Sequence, residues 1–152
     1  MASTSKGTLV GYSATLPADF DDNAVTGYPS LTYTTLDGSV NEVPEFGPTA
    51  NVTQFTPLNT GVIQKILGSI DNGQITIPMA IENGNAGQEA MFAAAGTDVD
   101  FAFEINVVPV DTAYYFTGKV SAFKINPGDA NAVAMSSMTL EITRNIVKVE
   151  GP

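Results

Sequence analysis

From Val99 to Val107 large apolar residues alternate without a break with polar or small ones. Val99, Phe101, Phe103, Ile105 and Val107 fall on one side, and Asp100, Ala102, Glu104 and Asn106 on the other. That period of two is the signature of a strand with one buried face. A strand of this kind needs neighbours, and the rest of the chain offers them. Ile75, Ile77, Met79 and Ile81 alternate with Gln74, Thr76, Pro78 and Ala80. Leu31–Leu36 is expected as a strand, with Leu31 and Tyr33 opposite Thr32 and Thr34. Val62–Ile70 is expected as another, since it is short and followed by Asp71-Asn72-Gly73. In Tyr114–Ile125 the apolar phase slips between Val120 and Phe123, which a β-bulge would explain. In Val133–Ile142, Met138, Leu140 and Ile142 point inward while Thr139, Glu141 and Thr143 point outward. Asp37-Gly38 and Asn126–Asn131 read as turns.

One segment departs from this period. Asn85 to Ala95 switches to helical spacing, with Asn85 able to cap the helix and Gln88 three positions later in the capping-box place. Gly96 stands where a left-handed residue ends a helix. The expected fold is therefore mainly β: a sandwich or barrel of about 7–8 strands with one flanking helix over 85–95.

The connections are less regular. Residues 1–12 are small and polar apart from Leu9-Val10, and read as an N-terminal arm. Residues 37–61 form a long loop in which Pro44, Pro48, Pro57 and Gly47 forbid a continuous central strand, leaving short extended pieces at 39–43 and 50–55. Its apolar residues Val43, Phe46, Val52, Phe55 and Leu58 argue against disorder and call for a partner surface, in the same domain or in a neighbouring copy. Residues 145–152 read as a short C-terminal tail. No repeat subdivides the chain, and 152 residues make one domain able to bury roughly 70% of its unfolded surface.

Composition narrows function. The chain has no cysteine and no histidine, which removes disulfides, thiolate metal sites, and every nucleophile–histidine apparatus. Catalysis would rest on carboxylates, lysines and tyrosines alone, and no enzyme is expected. Sixteen acidic residues against six basic ones leave a formal charge of −10, which repels phosphate backbones and anionic membranes. No apolar run approaches the ~20 residues of a membrane span, and the N-terminus lacks the apolar core of a signal peptide.

Four groups of residues call for a chemical reading. Asp19, Asp21, Asp22 and Asn23 supply oxygens but lack the spacing of a calcium loop, so they read as a solvated loop. Asp98, Asp100 and Glu104 invite comparison with paired hydrolytic carboxylates. Yet Asp100 and Glu104 lie four residues apart on one strand, at about 3.3 Å per residue, too far for a retaining pair. The helix start at Asn85 is flanked by Glu82 and Glu89, which disfavours an anion there. Tyr12, Tyr28, Tyr33, Tyr114 and Tyr115 are scattered through strands and read as core or interface residues. No cofactor or metal is expected.

The order of these elements resembles the major tail tube proteins of long-tailed, siphovirus-like bacteriophages. The residues that carry the likeness are Lys6-Gly7-Thr8 in the arm, the proline-containing loop, and the run from Gly68 to Pro78. Gly84–Ala94 and the final strand ending Leu140-Glu141-Ile142-Thr143-Arg144 complete it. The resemblance implies a β-sandwich with a flanking helix that self-assembles into stacked hexameric rings, forming a conduit for DNA ejection in the virion. The type VI secretion tube shares that fold. It further implies the tape measure protein inside, terminator and baseplate or tip proteins at the ends, and synthesis in the host bacterial cytoplasm. DNA would pass without specific binding, and no membrane contact is implied. Val43, Phe46, Val52, Phe55 and Leu58 become inter-ring candidates, and Asp100, Glu104, Thr139 and Glu141 lumen candidates. Six copies at −10 each would carry −60, in keeping with a lumen that DNA slides through. The alternative is a monomeric β-sandwich binding module of adhesin or carbohydrate-binding type; a carboxylate-only hydrolase is more remote.

Overall fold

The computed structural model describes residues 7–17, 27–36, 40, 42–81 and 84–150. Within them the protein is mainly β. Its strands are β1 (Leu9–Ser13), β2 (Thr34–Thr35), β3 (Thr49–Phe55), β4 (Gln64–Asp71), β5 (Gln74–Ala80), β6 (Asp100–Val107), β7 (Thr112–Asn126), β8 (Met135–Ile142) and β9 (Val147–Glu150). A single α-helix, α1 (Ala86–Ala94), separates β5 from β6, and 3-10 turns occupy Tyr28–Ser30 and Val108–Val110. Seven strands make one antiparallel sheet in the order β2-β1-β6-β7-β8-β5, with β9 beside the first part of β7. The remaining two, β3 and β4, pair only with each other.

The alternation holds within β6, while Val99, expected on the core face, lies before the strand and is exposed. Phe103 and Ile105 are buried on one face, and Phe103 stacks on Phe116 of β7 at 5.4 Å between ring centroids. The phase slip in β7 is a bulge: the register against β8 shifts between Val120 and Ala122, leaving Ser121 as the extra residue. A bulge bends the strand that carries it, so one fifteen-residue strand serves both halves of the sheet. Gly118, just before the bend, is needed because a Cβ there would lie 2.7 Å from the Glu141 carbonyl oxygen.

The inward residues of every sheet strand but β2 and β9 share one core with α1. Val10, Ile75, Ile77, Met79, Phe103, Phe116, Val120, Met138 and Leu140 meet Met91 and Ala94 there. The two ends of the sheet come together over this core. Leu36, following β2, donates its N–H to Val10 O at 2.9 Å, while Val40 forms an antiparallel bridge with Met79 on the outermost strand, β5. The first turn of α1 ties the same two ends: Asn85 Nδ2 donates to Leu36 O at 3.2 Å, and Gln88 Nε2 to Ala80 O at 2.6 Å. A Cβ on Gly87 would fall 2.6 Å from Leu36 Cδ2, so the helix rests directly on that side chain. The sheet is thus almost a barrel, with its seam filled by a helix start. Closure of this kind shields edges that would otherwise pair with strangers.

The helix ends are as the sequence predicts. Asn85 Oδ1 accepts the Gln88 N–H at 3.1 Å, and Gly96 is left-handed at φ 78°. The tyrosines Tyr28, Tyr33 and Tyr115 cover the opposite face of the sheet beside β9.

Four expectations need correction. Residues 9–12, assigned to an arm, lie in β1, because Val10 has an apolar pocket to fill and β6 has a free edge to pair. The C-terminal tail contains β9, which pairs with Thr112–Tyr115. The strand expected over 31–36 shrinks to Thr34–Thr35 behind the turn at Tyr28–Ser30, where Pro29 withholds a donor. The long loop is partly regular, with Thr49–Phe55 paired along β4. The Asp37-Gly38 turn, Asp19 to Asn23, Lys6 and Glu82 lie outside the described residues.

Candidate assembly surfaces

The β3–β4 hairpin stands apart from the body. All eight residues of β4 are exposed, and among the described residues neither strand packs extensively on another element. Yet it is rich in large apolar side chains: Leu67 is 69% exposed, Ile70 63%, and Leu58 at the tip is wholly exposed. A bulge organises them. Opposite Asn51 the partner strand has two residues, Gly68 and Ser69, so that Ala50 pairs with Ile70 and Val52 with Leu67. Paired residues in a ladder share a face, so Ala50, Val52, Leu67 and Ile70 form one apolar face, continued by Gln54 and Lys65. The other face holds the Asn51–Ser69 hydrogen bond at 2.9 Å, with Thr53 and Ile66 beyond it. An isolated two-stranded hairpin is marginal in water, and exposed apolar surface of this extent marks a contact with another molecule.

The five loop residues singled out in the sequence therefore divide. Val52, Phe55 and Leu58 are exposed on the hairpin. Val43 and Phe46 instead pack against the protein's own core, Phe46 meeting Tyr114 edge-on at 5.9 Å and Phe116 at 6.1 Å. Both are spent within the domain. Ile63, Ile66, Leu67 and Ile70 were missed as surface residues because an apolar run reads as core until its neighbours are known.

A second surface is polar. Asp100 of β6 pairs with Lys119 of β7, which pairs with Glu141 of β8, which pairs with Gln74 of β5. These four form a row across the sheet on the face turned away from the core. In the next row Thr139 and Thr76 bring their hydroxyls within 3.2 Å. Lys119 Nζ lies 2.7 Å from Asp98 Oδ1 and 3.1 Å from Asp100 Oδ1. Its hydrogen bond holds the Asp98 carboxyl below the usual range and raises its own ammonium in return. Glu104 is on the same face but farther along, paired with Tyr115 and half-buried. There Tyr28 stacks on Tyr115 at 5.8 Å and bonds Thr117 Oγ1 at 2.7 Å, while Tyr33 OH donates to Tyr28 O. Burial pushes the Tyr33 and Tyr115 hydroxyls far above their ordinary value, and the Glu104 charge adds to it. Asp100, Thr139 and Glu141 thus share one polar face, Glu141 exposed and the other two half-buried, and Glu104 reaches its tyrosine-lined end. Among the described residues no three acidic side chains converge on a metal position.

The third surface is the outer edge of β5, which among the described residues is met by Val40 alone, at Met79. Pro78 pairs there with Ser137 and has no N–H to offer an incoming strand.

No protein-family model matches the chain, and no curated protein matches it. Solved structures do. The protein in a cryo-EM structure of the anti-feeding prophage baseplate, 6-fold symmetrised, superposes with a TM-score of 0.69 at 11% identity, covering 99% of this chain and 97% of that one. A chain from the tail of an empty gene transfer agent particle, refined with C6 symmetry, gives 0.66 at 12% identity over 96% and 98%. The SPP1 tail tube protein gives 0.56 at 14% identity over 93% and 75%. At these identities the likeness shows the fold, which this chain shares with tail tube proteins along nearly its whole length.

Proposed function

We propose that the chain is a structural subunit of a siphovirus-like tail tube, which self-assembles into hexameric rings that stack into a conduit for DNA ejection. The observation that carries this reading is the β3–β4 hairpin, an apolar arm that packs extensively on no other element among the described residues. The six-fold symmetry of the anti-feeding prophage baseplate and of the gene transfer agent tail supports six copies per ring. Asp100, Thr139 and Glu141, on the polar face, are the lumen residues, and an acidic wall lets a polyanion slide without binding. Glu104 sits at the tyrosine-lined end of that wall. Val52, Phe55 and Leu58 bridge successive rings. The role is structural, not enzymatic; the tape measure protein occupies the tube, terminator and baseplate or tip proteins close its ends, and the assembled protein belongs to the virion. A monomeric binding module would gather its aromatics on an open face, whereas Tyr28 and Tyr115 are buried.

Removing residues 52–67 and closing the gap with a two-residue turn tests this. The trimmed chain keeps its folded circular dichroism spectrum and forms no tubes in electron micrographs under conditions where the full chain does. A trimmed chain that still polymerises refutes the reading, as does a full chain that stays monomeric at high concentration with seeds present.

A further inference from the structure

Beside α1, on the core side of the sheet, runs an apolar groove of about 360 Å³. Ile81, Phe92, Phe123 and Ile125 line it, and Glu89 is the one charged residue among its described lining. Phe92 meets Phe123 edge-on at 5.6 Å, yet Phe92 remains 55% exposed. Ser136, also in the lining, is buried, and its Oγ has no hydrogen-bond partner among the described residues. Native proteins rarely leave such a group unsatisfied. The groove therefore wants an occupant that is apolar, carries a cation at one end, and brings a polar atom to Ser136.

The chain itself carries a surface of that description. The hairpin face of Val52, Leu67 and Ile70 continues to Lys65, the only cation on β3 or β4. Neither strand packs extensively on α1 of its own domain, so the match has to be made between copies. We infer that this hairpin face docks in the α1 groove of a second copy, with Lys65 against Glu89 and a polar group of the hairpin bonded to Ser136. The inference rests on the self-assembly reading above and adds where the arm lands. It also gives Glu89, on the first turn of α1, a role beyond favouring the helix N-terminus.

The chain has no cysteine, so introduced thiols report cleanly. Gln54→Cys copies, altered on the docking face but not in its apolar contacts, are mixed with Ala93→Cys copies, altered on the exposed side of α1. A short bifunctional maleimide links them in the assembled fraction, and links Gln54→Cys to Thr76→Cys, on the polar sheet face, not at all. Separately, Lys65→Glu and Glu89→Lys each raise the unassembled concentration by about tenfold, and the double exchange returns it to within about threefold of the parent. Tubes that form without the link, or a double exchange no better than the single ones, overturn the docking and leave self-assembly standing; the groove then belongs to another occupant. A parent chain that never assembles overturns both.

Discussion

Asn85 closes the barrel and starts the helix with one side chain, and the two contributions can be separated. Its Oδ1 accepts the Gln88 N–H at 3.1 Å, and its Nδ2 donates to Leu36 O at 3.2 Å across the seam. Replacing Asn85 with alanine removes both. Loss of the cap costs about 1 kcal/mol, and loss of the bond to Leu36 costs about 1 kcal/mol more. For a domain of this length each kcal/mol moves the melting temperature by about 2–4 °C, so Asn85→Ala melts about 4–8 °C lower by the same scaling. Asn85→Ser retains an acceptor for the helix N-terminus but cannot span to Leu36, so it loses about half as much. The assay is thermal unfolding followed by circular dichroism, made on chains lacking the hairpin so that association does not add to stability. A serine variant as stable as the parent would show that the bond across the seam contributes nothing, and equal melting temperatures for the alanine and serine variants that the cap contributes nothing. An alanine variant as stable as the parent would refute the closure argument altogether.

Two further outcomes follow from close packing and from burial. Gly118→Ala presses a Cβ against the Glu141 carbonyl, 2.7 Å away; because the neighbour is backbone, β7 and β8 have to separate, at about 1–3 kcal/mol. A denaturant midpoint unchanged from the parent would contradict that. The second concerns alkaline pH. Tyr33 and Tyr115 have raised values in the folded chain, from burial first and then from neighbouring charge. Unfolded tyrosines ionise near about pH 10. The stability they hold is therefore complete below that pH and falls as pH rises above it, since the unfolded chain then releases protons the folded one keeps. Tyr115→Phe flattens this fall; a midpoint that does not drop in the parent would refute it.

The residues legible in the sequence are those whose environment is local. The alternation of β6, the bulge near Val120, the cap at Asn85 and the left-handed Gly96 each follow from a few adjacent residues, and each is found in place. The shared face of Asp100, Thr139 and Glu141 follows from the same alternation once the strands are paired. What stayed hidden depends on distant partners. Val147–Glu150 is only four residues long, and nothing near it reveals that β7 offers an edge. Glu104 looks like any other acid on that face until Tyr115 and Tyr33 are brought beside it. Phe46 and Phe55 sit in similar surroundings along the chain, yet one packs inside its own domain and the other faces out. Apolarity says that a side chain needs cover, not which molecule provides it.

Charge explains why that distinction falls where it does. Copies carrying −10 each repel one another, and a compact array of them needs contacts in which apolar burial outweighs the repulsion. From Thr49 to Ile70 there is no aspartate or glutamate and a single lysine. The sixteen acidic residues all lie elsewhere, several of them on the polar sheet face opposite the core. A chain selected only to fold would have no reason to keep its most exposed aliphatic segment free of negative charge, since acids there would help solubility and disturb no packing. A chain that assembles through that segment has to exclude them, because each would face the field of a neighbouring acidic copy. The core, closed by α1, gathers its residues outside the hairpin, which leaves the arm free to be shaped by such a requirement.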